Sequence, residues 1–232
     1  MPYTKPLAVS KSIIMKKLLW ILTAFLLIGF NGQAQINIEV IDSIIQNAAS
    51  TKSFEGTVLI AQNGNIAYQK SFGFKDKDKY IPIENSASYS IASITKLFTA
   101  IITLQLVEEG RFELTSNLES LVPELKIPQS TNITAHHLLF HISSLHNEND
   151  EIYTQPKKPR DFVIETISNE SNSFGEFNYA NLDYVLLGLI IEKFDGMPFE
   201  KSVQKRILDN YSMNQTGFLK KSNYLENFAY LF

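Results

Sequence analysis

A chain of 232 residues, 44% hydrophobic and 19% charged, has enough apolar material for one globular domain with a substantial core and too little charge for a disordered segment. Its 24 acidic and 21 basic residues leave a formal charge of −3, which excludes the basic excess of a nucleic-acid-binding protein. Zero cysteines exclude a disulfide framework, a thiolate metal site and a lipid-modified cysteine.

In chain order, Lys16 and Lys17 precede the apolar run Leu18 to Phe30, which is followed by Asn31-Gly32-Gln33-Ala34. That order of positive start, apolar centre and small residues at alternate positions predicts a secretory signal over residues 15–34, cleaved after Ala34. The run is shorter than the roughly 20 residues that span a bilayer, so no stable membrane anchor is expected after cleavage. The mature protein is then expected to be periplasmic or secreted. Met15 is the natural start of such a leader, which makes residues 1–14 a mis-started extension and residues 35–232 the folded part. Four of the 21 basic residues and none of the 24 acidic ones precede Gln35, so the processed chain carries about −7.

Apolar residues at 36, 38, 40, 41, 44, 45 and 48 predict an amphipathic helix over Ile36 to Ala49. Gly56 to Ala61 and Ile66 to Phe72 flank Gln62-Asn63-Gly64-Asn65, and Asn-Gly between two such runs predicts a β-hairpin. Alternating charges from Lys75 to Lys79 read as a solvated loop. Ser93 opens a helix that runs to Gly110, apolar on most of its circumference and therefore expected to be buried. Leu114 to Pro128 reads as loop, Ile133 to His141 as a short helix entered at Thr134, and His146 to Arg160 as irregular. A short helix over Asp161 to Ile167 and a Ser/Asn-rich loop over Asn169 to Asn178 follow. Asn181 can cap a helix, Leu182 to Phe194, that stops at Gly196, and Phe199 to Leu208 is a last amphipathic helix.

The chemistry-bearing stretch is Ser93-Ile94-Thr95-Lys96. Residues at i and i+3 share a helix face, so a hydroxyl and an amine meet at a helix start. A serine hydroxyl needs a base within hydrogen-bond reach to act as a nucleophile, and Lys96 can serve as its neutral amine. Backbone N–H groups at the same terminus can stabilise an oxyanion, each such donor typically lowering a barrier by about 2.7–4 kcal/mol. The spacing alone is unspecific, because Ser202-Val203-Gln204-Lys205 repeats it among surface charges. Tyr179-Ala180-Asn181 adds a tyrosine able to shuttle a proton and an amide able to bind a carbonyl and orient the lysine. By residue type alone, Lys96 could equally reach to water from a core helix, Tyr179 be a core aromatic and Asn181 a helix cap. His137 and His141 have the i, i+4 spacing of a zinc pair, but Leu138 stands where H-E-x-x-H has its glutamate. A histidine-based metal hydrolase is thus the minor alternative, and no metal or other cofactor is expected.

The segments S-I-A-S-I-T-K-L-F-T, L-L-F-H-I-S-S-L (138–145), Y-A-N-L-D-Y-V-L-L-G-L-I-I-E-K (179–193) and M-N-Q-T-G-F (213–218) resemble, in order and spacing, landmarks of the serine beta-lactamase-like hydrolases. The resemblance is to the class C type, with penicillin-binding carboxypeptidases and related esterases. It implies an α+β, beta-lactamase/transpeptidase-like fold, an antiparallel sheet packed by helices plus a helical subdomain. It also implies Ser93 as the acylated nucleophile, Lys96 as its base, Tyr179 as the acid/base serving the leaving group and Asn181 as a substrate-binding residue. The implied substrate is a small molecule or peptide with an amide or ester: a beta-lactam, a D-amino-acid peptide or a simple ester. Two departures stand out. Ser144 occupies a position where the family usually has glycine, in the turn after His141, itself implied to be structural. The family's K-T-G or H-x-G strand is absent before Phe232, and Gln215-Thr216-Gly217 matches a turn instead. The expectation is the N-terminal part of a hydrolase domain, its C-terminal strands and helix missing, with little turnover by this chain alone. A non-catalytic remnant or ligand-binding relative is the alternative.

Overall fold

The computed structural model describes residues 36–51, 53–75, 78, 80–146, 157–167, 174–219 and 228–229, together with Trp20. The expected leader, apart from Trp20, lies outside the described residues, as do the expected extension 1–14 and residues 147–156 and 168–173, which hold most of the expected irregular stretch 146–160 and half of the expected loop 169–178. No helix among the described residues is long and apolar enough to cross a membrane. After Lys70 the chain divides into two compact units.

The first unit carries helix α1, Ile38–Ser50, and a hairpin of β1, Gly56–Gln62, and β2, Asn65–Phe72, whose end runs into the second unit. The helix begins two residues later than its periodicity suggests because Asn37 caps it, its side chain accepting from Val40 N–H at 3.1 Å. The hairpin turn is the predicted Asn63-Gly64, with φ of 51° and 77°, the left-handed pair that lets two residues reverse a twisted ladder. Asp42 on α1 accepts from Tyr68 Oη (2.7 Å) and Lys70 Nζ (2.9 Å) on β2. These bonds hold its carboxyl below the ordinary value, while burial and Asp42 push the Tyr68 phenol up to about 12.

The second unit is a cluster of helices. A single 3₁₀ turn, Ala92–Ile94, leads into α2, Thr95–Glu108; α3, Leu118–Leu121, precedes a 3₁₀ turn at Pro123–Leu125; then come α4, Ala135–Leu139, and α5, Pro159–Thr166. Helix α6, Asn181–Asp195, is the axis of this unit, and α7, Phe199–Val203, continues as a π turn, Gln204–Leu208. Leu182, Leu186, Leu187, Ile190 and Ile191 make α6 apolar on several sides, so α2, α4, α5 and α7 all pack on it. Its last turn ends at Gly196, φ 67°, whose N–H returns to Glu192 O at 2.9 Å. Arg206 ties three elements together. It reaches Asp195 at the end of α6 (2.7 and 2.5 Å) and Glu109 just beyond α2 (2.6 and 3.1 Å), and both carboxyls are held below their ordinary values.

Several expectations need correction. Helix α2 is not buried all round: Thr99, Ile102, Thr103 and Leu106 form its buried stripe, whereas Ile94 just before it and Leu97, Ile101 and Leu104 within it are exposed. The expected loop after Leu114 contains α3, because Asn117 accepts from Ser120 N–H at 3.0 Å and nucleates a turn. Asn181 does not cap α6; it is the first helical residue, Ala180 takes the cap position, and no side chain caps that end. The last helix keeps its expected span, but its second half widens into π winding.

Candidate active site

Ser93 lies in the 3₁₀ turn and Lys96 is the second residue of α2, so the i, i+3 spacing does bring them together: Lys96 Nζ donates to Ser93 Oγ at 3.3 Å. The preceding residue, Ala92, has φ 42°, a left-handed conformation costing a non-glycine residue about 1–2 kcal/mol. Ser93 is exposed at the tip of this strained turn.

Tyr179 and Asn181 arrive from 85 residues further along, at the corner where an extended segment enters α6. Tyr179 Oη stands 3.0 Å from Ser93 Oγ, closer than the lysine, and either oxygen can donate. Asn181 Oδ1 accepts from Lys96 Nζ at 2.6 Å and from Tyr179 Oη at 3.4 Å. The Asn181 side chain is therefore turned toward the lysine, away from a capping role. Lys96 Nζ also lies 4.8 Å from the centroid of the Tyr179 ring and 5.7 Å from that of Tyr184, within cation–π range. All four predicted side chains thus meet around one amine, with Ser93 and Tyr179 open to solvent.

The remaining candidates are placed elsewhere. Ser202 is buried in α7 while Lys205 is exposed, so the second S-x-x-K does not form a couple. His137 Nδ1 accepts from Thr134 N–H (3.0 Å) in the predicted α4 cap, and His141 lies beyond that helix at φ 55°. The two rings therefore do not share a helix face, and no metal-binding group is found among the described residues. Gln215-Thr216-Gly217 lines a groove of about 900 Å³ with Ser86 to Ala92, and none of the four site residues lines it.

One part of the site was not foreseen. His141 Nδ1 is 3.0 Å from Asp183 Oδ2 and 3.3 Å from Ala180 N, and its ring packs on those of Tyr179 (4.6 Å) and Tyr184 (5.0 Å). Ser143 Oγ donates to Asp183 Oδ1 at 2.6 Å, and Asp183 is fully buried. Burial pushes the Asp183 carboxyl up to about 7 against the Ser143 bond, and burial, then the nearby Lys96, holds His141 below the ordinary imidazole value. The signal in the sequence was an acid in the first turn of α6, directly ahead of the apolar run Val185 to Ile191.

Residues 41–228 match the family model described as Beta-lactamase. The chain belongs to the Beta-lactamase family. Among its relatives, Protein flp of Staphylococcus aureus (strain MRSA252) is 30% identical over 192 residues, covering 79% of this chain and 38% of that protein. A penicillin binding protein from Bacillus halodurans has a crystal structure that superposes with a TM-score of 0.68 at 26% identity, covering 80% of this chain and 60% of that one. A class C beta lactamase structure gives a TM-score of 0.71 at 21% identity, covering 85% and 56%. The α+β, beta-lactamase/transpeptidase-like fold implied by the resemblance is therefore that of this Beta-lactamase-family chain, here with a two-stranded antiparallel sheet among the described residues. The chain spans about two fifths of the length of the curated relative quoted and somewhat over half that of the two solved structures.

Proposed function

We propose that this Beta-lactamase-family chain carries the acylation machinery of an exported serine hydrolase acting on a small amide or ester, a beta-lactam, a D-amino-acid peptide or a simple ester. The observation that carries the reading is the convergence of Ser93 Oγ, Tyr179 Oη and Asn181 Oδ1 on or beside Lys96 Nζ. Ser93 Oγ attacks the substrate carbonyl carbon while its proton passes to the Lys96 amine. The carbonyl oxygen becomes an oxyanion, to which the Ser93 N–H is assigned as donor. The tetrahedral species collapses to the Ser93 ester as the bond to the leaving group breaks. Tyr179 Oη gives the leaving group its proton and is recharged by the proton held on Lys96. Water then reverses these steps and releases the acid. Asn181 fixes Lys96 and offers its amide to the substrate carbonyl.

Intact-protein mass spectrometry after exposure to a beta-lactam or a fluorophosphonate tests the reading. An adduct on Ser93 that disappears in Ser93→Ala supports it. Reversible binding of a beta-lactam without adduct from either probe would favour the non-catalytic alternative. Export through residues 15–34 is proposed on the leader pattern, and a mature N-terminus at Gln35 is the expected outcome of sequencing the secreted protein.

A further inference from the structure

The Tyr179–Asn181 corner has no side-chain cap of its own, yet the reaction proposed above needs it held to within about an ångström. Its restraints come from the loop that follows α4. Asn178 N–H donates to His141 O at 2.7 Å, Asn178 Nδ2 to Leu145 O at 3.0 Å, and Ala180 N–H to His141 Nδ1 at 3.3 Å. The His141 ring forms the floor beneath Tyr179. Donor accounting then fixes the proton. Nδ1 faces both the Ala180 N–H, which can only donate, and Asp183 Oδ2. If Nδ1 carried a hydrogen, the buried Ala180 N–H would oppose another donor. If Nδ1 is a lone pair, Asp183 must be the neutral acid, donating Oδ2–H to Nδ1 at 3.0 Å with the Ala180 N–H sharing that one lone pair at 3.3 Å, while Asp183 Oδ1 accepts from Ser143.

The geometry points to His141 and Asp183 as positioning residues: a neutral carboxylic acid on α6 holds His141 as an Nδ1 acceptor, and that acceptor pins Ala180 so that Tyr179 and Asn181 face Ser93 and Lys96. The raised carboxyl and lowered imidazole agree with this proton placement. Tyr184, Tyr179 and Lys96 are the other titratable groups beside the pair. The inference rests on the acyl-transfer reading for its consequence in rate, but not for its structural content.

The test compares His141→Gly with His141→Asn in the full chain. Glycine accepts φ 55° without strain but removes Nδ1, and asparagine also tolerates that backbone while placing an oxygen near the Nδ1 position. His141→Gly is expected to slow fluorophosphonate acylation of Ser93 by about 100-fold, with reversible affinity for the probe little changed. His141→Asn is expected to recover most of that rate. Independently of Ser93 chemistry, Ala180 amide exchange is expected to accelerate in His141→Gly but not in His141→Asn. Nitrogen-15 NMR of the wild-type protein is expected to show His141 with Nδ1 unprotonated. If the wild type is not acylated at all, the acyl-transfer reading falls while the amide and NMR measurements still decide the positioning. Unchanged Ala180 exchange in a folded His141→Gly protein, a protonated Nδ1, or wild-type acylation by His141→Gly would overturn the proposal. If His141→Gly does not fold, Asp183→Asn and Asp183→Leu substitute for it. The first keeps a donor to Nδ1 and is expected to leave Ala180 protected; loss of protection in both would equally overturn it.

Discussion

Replacing Asp183 by asparagine should make the protein more stable, and increasingly so as pH rises. In the folded chain the carboxyl is completely buried and its pKa is pushed from 3.8 up to about 7. Between about pH 4 and pH 7 the folded state therefore holds a proton that the unfolded state has released. Stability falls with rising pH wherever the folded state binds more protons, so the wild type loses stability across that window. About three units at roughly 1.4 kcal/mol each give about 4 kcal/mol in all, of which about 3 kcal/mol falls between pH 5 and pH 8. Asparagine reproduces the neutral acid, one donor toward His141 and one acceptor for Ser143, and does not titrate. His141, held low by burial, contributes in the opposite sense, destabilising the fold as pH falls, and is present in both proteins. Urea unfolding of wild type and Asp183→Asn at pH 5 and pH 8 supplies the difference directly. A gap that widens by about 3 kcal/mol toward pH 8 is the expected result. A gap that is flat or narrows would mean that the folded protein keeps Asp183 ionised, and the reasoning about its proton would be wrong.

Ser144→Gly removes a side chain from a residue at φ 68°, and the relief of about 1–2 kcal/mol, less about 0.4–1 kcal/mol of unfolded-chain entropy, should leave a net stabilisation measurable as a higher urea midpoint. Arg206→Ala strands Asp195, whose side chain is 6% exposed, and should cost about 3 kcal/mol in the same assay at neutral pH. That difference should shrink in acid, because carboxyls held low contribute stability above their unfolded pKa and lose it as pH falls through the folded one. Lys96→Ala should slow Ser93 acylation by about 10²–10⁴-fold with the fold intact; an unchanged rate would pass the base role to Tyr179, whose oxygen is nearer to Ser93.

How much of this could be read from residues alone depended on range. The Ser93–Lys96 couple was legible because both lie on one turn of helix, where spacing fixes geometry. The Asn63-Gly64 hairpin and the Thr134 entry to α4 were legible for the same reason. Tyr179 and Asn181 were local enough to find as a pair, but their meeting with Lys96 across 85 residues rested on resemblance. The apolar circumference of α2 could not reveal which stripe would find partners, since that is set by α6, far along the chain. Asp183 shows the limit most clearly. Its type says surface, its neighbours Leu182 and Leu186 say core, and only the folded loop carrying His141 and Ser143 resolves the conflict.

Ala92 sets stability and reactivity against each other at a single position. Glycine there would relieve the left-handed turn at φ 42° and so favour a sturdier protein, yet it would also let the residue next to Ser93 sample many more backbone states. Sequence changes that make this protein more robust and changes that keep the Ser93 hydroxyl aimed at Lys96 and Tyr179 are therefore in competition at residue 92. A thermal-stability screen that ignored Ser93 would select the wrong one.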